Sequence, residues 1–213
     1  MTLQCDDAAN TLLTMLHAAA DGRFPVVDGG VTYLAPPAAH LEAVLAFTGH
    51  AVICSRFSES DLSDLHPDGY GHASHPDVLQ RMAGTERIIG VLDAILVRRA
   101  VGGNPLPRRT DLDAHSRVVH ARSIRTNVSV YGDERGLITL GAGLAGRREL
   151  SIEVSTAGQG RGWGPTLLRD GLAAAPIGEL VFAAVSPGNA RSLRMFLSAG
   201  FQPIGSEVIL HRR

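Results

Sequence analysis

Between residues 154 and 166 the chain reads Val-Ser-Thr-Ala-Gly-Gln-Gly-Arg-Gly-Trp-Gly-Pro-Thr, with glycine at 158, 160, 162 and 164. Glycine lets successive N–H groups turn toward a bound oxyanion and lets a phosphate approach the backbone closely. A strand-like run, residues 150–154, leads in, and a helix-like run, residues 166–175, leads out. The first turn of such a helix adds unpaired N–H groups and the positive end of its dipole. The chemistry expected of this segment is phosphate binding. A plain turn would not require the entropic cost of four glycines.

Two familiar phosphate loops do not fit. The nucleoside-triphosphate loop needs a lysine that reaches the outer phosphates, and this chain contains no lysine. The dinucleotide fingerprint needs Gly-x-Gly-x-x-Gly. Counted from Gly158 its last position is Trp163, and counted from Gly160 it is Pro165.

A third pattern fits: Val154-x4-Gln159-x-x-Gly162-x-Gly164. After a spacer strand at 179–185 comes Asn189-Ala-Arg-Ser192-Leu-Arg-Met-Phe196-Leu-Ser-Ala-Gly200-Phe201. Together they resemble the GNAT acyltransferase superfamily. Its loop reads Val-x4-Arg/Gln-x-x-Gly-x-Gly/Ala, and its next helix reads Asn-x-x-Ala/Ser-x-x-x-Tyr-x-x-x-Gly-Phe. The resemblance covers roughly residues 115–211. It implies an α+β (mixed α/β) fold, with a mostly antiparallel central sheet flanked by helices. It implies acetyl-CoA as co-substrate and no metal. Backbone groups from Gln159 through Gly160, Arg161, Gly162, Trp163 and Gly164 would hold the pyrophosphate. Ile152 and Val154 would pair with the pantetheine arm, and Asn189 would contact the pantetheine region. Plain alternatives stand beside these roles: a solvated loop arginine for Arg161, packing under the loop for Trp163, and a helix N-cap for Asn189.

Acyl transfer to an amine needs a group that takes the amine proton. Strand alternation puts Glu149, Ser151 and Glu153 on one face and Leu150, Ile152 and Val154 on the other. Glu153, nearer the loop, is the first candidate base and Glu149 the second. Either could instead simply pair with Arg147, Arg148 or a neighbouring strand. His120 is a weaker candidate. The family's general acid is a tyrosine seven residues after the asparagine, and here that residue is Phe196, which cannot donate a proton. Ser192 is a poor acid, and Tyr131 is unplaced. The activity implied is transfer of an acyl group to a primary amine, in a small molecule or a peptide. The alternative is an acyl-CoA sensor or interaction module without turnover.

The rest of the chain must position these residues. Its 213 residues are 45% hydrophobic and 19% charged with net charge −1, which implies a soluble globular protein without a nucleic-acid or membrane partner. Cys5 and Cys54 are sparse and far apart, and the N-terminus has no basic signal-like start, so a cytoplasmic setting is expected. Residues 6–21 read as an amphipathic helix, 31–34 and 44–54 as strands, 75–82 as a short helix and 92–98 as a strand. The stretch 102–109 reads as a linker, dividing an N-terminal α/β extension, residues 1–105, from a GNAT-like domain, residues 106–213. In the second part 117–131 reads as a long strand, 132–136 as a hairpin turn, and 137–144 and 149–155 as the next strands. One strand, 204–210, closes the chain where the family usually has two. An exposed edge there would admit the N-terminal region or a second copy, as in a homodimer. His66, His72 and His75 match no strong zinc spacing and read as a polar surface loop or part of a substrate lid.

Overall fold

In a computed structural model the described residues are 2–158 and 160–213, the side chains of 2–5 excepted. They form a mixed α/β fold of ten strands and six α-helices, and two compact units. The first unit holds residues 1–95 and 204–213, and the second holds 96–203. The glycine- and proline-rich stretch 102–109 therefore lies inside the second unit. No helix among the described residues is long and apolar enough to cross a membrane.

The first unit opens with α1 (Thr2–Ala20), which buries Ala8, Leu12, Leu16 and Ala19 at helical spacing. Strands β1 (Val31–Leu34), β2 (Leu41–Phe47) and β3 (His50–Cys54) follow, then helices α2 (Glu59–Leu62) and α3 (Pro76–Ala83) and strand β4 (Arg87–Ile89). β5 (Asp93–Arg99) begins in this unit and ends in the next. The apolar run expected as one strand over 44–54 is a hairpin: Phe47 pairs with His50 across Thr48-Gly49. Gly49, with φ of +66°, makes the reversal cheap. Both strands are almost wholly buried, which is why the run is apolar at nearly every position and lacks alternation.

The second unit contains α4 (Ser116–Ile124), β6 (Thr126–Asp133), β7 (Gly136–Ala142), β8 (Arg148–Val154), α5 (Trp163–Leu172), β9 (Leu180–Val185) and α6 (Ala190–Ser198). β6, β7 and β8 form an antiparallel meander, and β8 meets β9 in parallel at Glu149 and Phe182. Helix α5 buries Leu167, Leu168 and Leu172, the three leucines at core spacing. The chain returns to the first unit with β10 (Gln202–Arg212), which pairs with β2 and with β4. The N-terminal region thus supplies the neighbours of the closing strand.

One expected element is corrected. Residues 117–131 are not one strand, because Ser116–Ile124 is helical and the strand begins only at Thr126. The ring of His115 caps the helix by accepting a hydrogen bond from the Arg117 N–H at 3.2 Å. Val118 and Ala121, three apart, are buried, while Val119 is 53% exposed, so the apolar period is helical. The turn between β6 and β7 depends on Gly136. Its φ is +147°, and a Cβ there would run into the carbonyl of Glu153. Gly136→Ala should lower stability by about 2–3 kcal/mol in urea denaturation. Gly146→Ala, at φ of +79° with open space around it, should cost only about 1 kcal/mol.

Candidate functional site

The site lies within the second unit, where β8 ends, the glycine loop turns and α5 begins. Two glycines of the loop, Gly160 and Gly162, have φ of +80° and +74°, and a Cβ on either would meet nothing. Their role is conformational, and it leaves the backbone bare. Gly162 is the residue before α5 and has no side chain to cap the first helical N–H groups. Gly158 and Gly164 serve close approach instead. The indole of Trp163 packs on Gly158, and the Met195 sulfur of α6 would lie 2.6 Å from a Cβ at Gly164. Pro165 stands in the first turn, where it needs no hydrogen bond. Arg161 sits 5.8 Å from the Trp163 ring centroid, a cation–π distance. Gln159 lies outside the described residues.

A cleft of about 500 Å³ opens beside this loop. Ile152, Glu153 and Val154 of β8 line one wall, and Arg191, Ser192 and Met195 of α6 line another. Trp163 and Gly164 join the loop glycines in the lining. Asn189 is outside the lining. It is the N-cap of α6, its Oδ1 accepting from the Ser192 N–H at 3.2 Å. Phe196 is buried and packs edge-on against Phe201, with ring centroids 4.9 Å apart, so it is part of the core. Tyr131 and His120 are not among the lining residues.

The two candidate bases have different surroundings. Glu153 lines the cleft and is half-buried, its Oε2 accepting from Arg117 Nε at 3.0 Å. His115 Nε2 lies 3.8 Å from the other oxygen. Glu149 is fully buried and is not among the lining residues. Arg147 donates to its Oε2 through Nε at 3.1 Å and Nη2 at 2.9 Å. Arg125 donates to Oε1 from Nε at 2.8 Å and also from Nη2. The remaining guanidinium nitrogen of Arg125, Nη1, donates to Thr139 Oγ1 and Ser151 Oγ, at 3.2 and 3.3 Å. Both oxygens of Glu149 are therefore occupied, and the residue is placed as the anion of a buried ion cluster, not at the cleft. Burial by itself would raise its pKa, but the charges and hydrogen bonds of Arg125 and Arg147 outweigh that and hold it below the usual glutamate range.

Sequence reasoning missed Arg117, His115, Arg191 and Met195. Arg117 belonged to the misread strand, and His115 lies two residues before it, as the N-cap of the helix found there. The last two sit two and six residues after Asn189, on the helix that its pattern marks. No group of three or more metal-ligating side chains is placed for a metal among the described residues. His72 Nδ1 bonds to the His66 carbonyl, and His75 caps α3.

No family model matches the sequence, and no curated protein does. Among solved structures the chain is similar to a GNAT-family structure from Novosphingobium aromaticivorans, at 17% identity over 61% of this chain and 69% of that one, with a TM-score of 0.41. It is similar to a GCN5-related N-acetyltransferase from Kribbella flavida, at 14% identity over 64% of each chain, with a TM-score of 0.40. It is also similar to a conserved protein of unknown function from Staphylococcus epidermidis, at 13% identity over 88% of this chain and 96% of that one, with a TM-score of 0.42. The likeness is one of backbone shape over part of the chain, and the chemistry must come from this chain's own residues.

The buried cluster yields a stability test. A carboxylate with a depressed folded pKa stabilises fully above its unfolded pKa, and that stability fades as pH falls through the folded value. Glu149→Gln should cost about 3–5 kcal/mol near neutral pH, since it leaves two buried guanidinium groups without their anion. The gap between wild type and variant, followed by urea denaturation, should narrow once the pH falls below about 4.

Proposed function

We propose that the chain is an acyl-CoA-dependent N-acyltransferase, with acetyl-CoA as acyl donor and a primary amine, in a small molecule or a peptide, as acceptor. One observation carries this reading. The β8 end, the glycine loop and the α5 start form a bare backbone cradle, with Gly160 and Gly162 in left-handed conformations beside a cleft of about 500 Å³. That donor set suits a pyrophosphate, because it offers N–H groups and the positive end of a helix without a competing carboxylate in the loop. Gly160, Arg161, Gly162, Trp163 and Gly164 would hold the diphosphate, and the loop pattern gives Gln159 the same role. Ile152 and Val154 present β8 backbone to the cleft for the pantetheine arm. Acetyl-CoA supplies the activated acyl group.

Glu153 is the base in this reading. It accepts the acceptor's proton as the N–C bond forms and the thioester C–S bond breaks, and the released thiol carries the balancing proton. Arg117 orients the carboxylate through Oε2, and Oε1, with His115 Nε2 at 3.8 Å, takes the acceptor's proton. Glu149 serves by holding β8 in place. A homodimer and a cytoplasmic setting are compatible with this reading and form part of the proposal.

The second reading, a binder without turnover, is favoured by Phe196, which is buried where the family has its acid, and by the ion pair on Glu153. Release of free thiol from acetyl-CoA across a panel of amines separates the two. Two variants test the site. Gly162→Asp should abolish CoA binding in calorimetry, since it places a carboxylate in the cradle at a strained φ; retained affinity would remove the loop assignment. Glu153→Gln should lower turnover by about 100-fold while leaving CoA affinity unchanged; unchanged turnover would remove it as the base.

A further inference from the structure

The first unit holds a second constellation that acyl transfer does not use. His50 opens β3 and is buried, with only 9% of its surface exposed. Its Nδ1 lies 2.8 Å from Asp28 Oδ1, and its Nε2 lies 2.9 Å from Thr32 Oγ1. The carboxylate at Nδ1 assigns the tautomer: Nδ1 carries the proton, so the Nε2 lone pair accepts from the threonine hydroxyl. Nucleophile, base and orienting carboxylate are thus in line, each contact within hydrogen-bond reach, the signature of an activated hydroxyl.

The local fold holds this geometry. The Gly30 N–H donates to the same Asp28 oxygen at 2.7 Å. The hydrogen bonds from His50 and Gly30 keep the Asp28 carboxyl below the usual carboxylate range, so it stays ionised. β1 and β3 run in parallel, with Val31 opposite Ala51 and Thr32 opposite Val52. The Gly30 and Leu34 carbonyls accept from Ala51 on β3 and from Ser55 just past its end. By the parallel ladder, the N–H groups of Val31 and Tyr33 then turn to the outer side of β1, next to Thr32. Donors of that kind stabilise an oxyanion.

The surroundings indicate a substrate class. Val27 and Tyr70 both pack against Gly49, beside His50, and are 62% and 71% exposed. Phe24 and Val26, in the segment leading to Asp28, are 45% and 76% exposed. These exposed side chains lie next to the residue before His50 or in the segment that leads to Asp28, and they bring no charge of their own.

We propose that Thr32 and His50 are catalytic residues of a hydrolytic site for small apolar carboxylic esters, with Asp28 as positioning residue. Thr32 Oγ1 bonds to the ester carbonyl carbon while its proton passes to His50 Nε2. The bond from carbonyl carbon to alcohol oxygen breaks, and the alcohol leaves with that proton. Water then attacks the acyl-Thr32 ester and gives a proton to His50 Nε2. That proton returns to Thr32 Oγ1 as the carboxylic acid departs, and the site is regenerated.

The test uses the full chain with p-nitrophenyl acetate. Wild type should release p-nitrophenol above the buffer rate, and rapid quenching should show acetyl on Thr32 by peptide mass spectrometry. Thr32→Val should lower the rate by about 100-fold or more, while Thr32→Ser, which keeps the hydroxyl, should retain it. His50→Gln should match Thr32→Val. Melting temperatures check that the variants fold, and the acetyl-Thr32 adduct is read on wild type whatever the variants do. Wild type that hydrolyses no faster than buffer, hydrolysis without acetyl on Thr32, or a folded Thr32→Val variant at the wild-type rate would each overturn the proposal.

Discussion

A single buried carboxylate organises the second unit. Glu149 joins Arg125, just past the end of α4, to Arg147, just before β8, and Arg125 in turn binds Thr139 of β7 and Ser151 of β8. A charge in that position is costly unless paired and hydrogen-bonded, so the cluster permits few arrangements of these elements. Gly143 keeps room for it, because a Cβ there would strike the Glu149 carboxylate. With the end of α4 tied to the sheet, its start is placed as well. Arg117 and His115 then stand over Glu153, four residues along the same strand, at the edge of the cleft.

Where β8 leaves this cluster, the chain changes character. Up to Val154 it is held by cross-strand pairing with β7, and from Gly158 to Gly164 by backbone conformation. The glycines divide the work: Gly160 and Gly162 supply left-handed turns, while Gly158 and Gly164 let Trp163 and Met195 approach. The entrance to the loop is tied down from the neighbouring turn, since the Arg135 carbonyl accepts from the Ser155 N–H at 2.9 Å. Arg135 also bridges Asp133 and Asp170 of α5 at 2.7 Å each, which ties the C-terminal half of that helix to the β6–β7 turn. A rigid frame around a bare backbone is what preorganised anion recognition requires.

The loop was legible in the sequence because glycine is chosen for backbone reasons that are local. The core face of α5 was legible because helical spacing is also local. Alternation along β8 put Glu149 and Glu153 on one face, and the structure keeps them there. What separates their surroundings is tertiary: Arg125 comes 24 residues earlier, Arg117 comes 36 residues earlier, and neither partner can be read from β8 itself. Helix α4 was misread because the alternation of Val128 and Val130, which belongs to β6, was carried back through its residues, and its cap is an imidazole, not one of the usual capping side chains. The hairpin of β2 and β3 was hidden because strands buried on both faces show no alternation. Asn189 was legible as the start of a helix, and its side chain is engaged in capping that helix.

The most direct measurement is a crystal structure of the chain with CoA. The diphosphate should lie against the N–H groups of residues 160–164, with the pantetheine arm along Ile152 and Val154 and the thiol end near Glu153. CoA bound elsewhere on the chain, or a cradle left empty at saturating CoA, would contradict an acyl-CoA function for this loop.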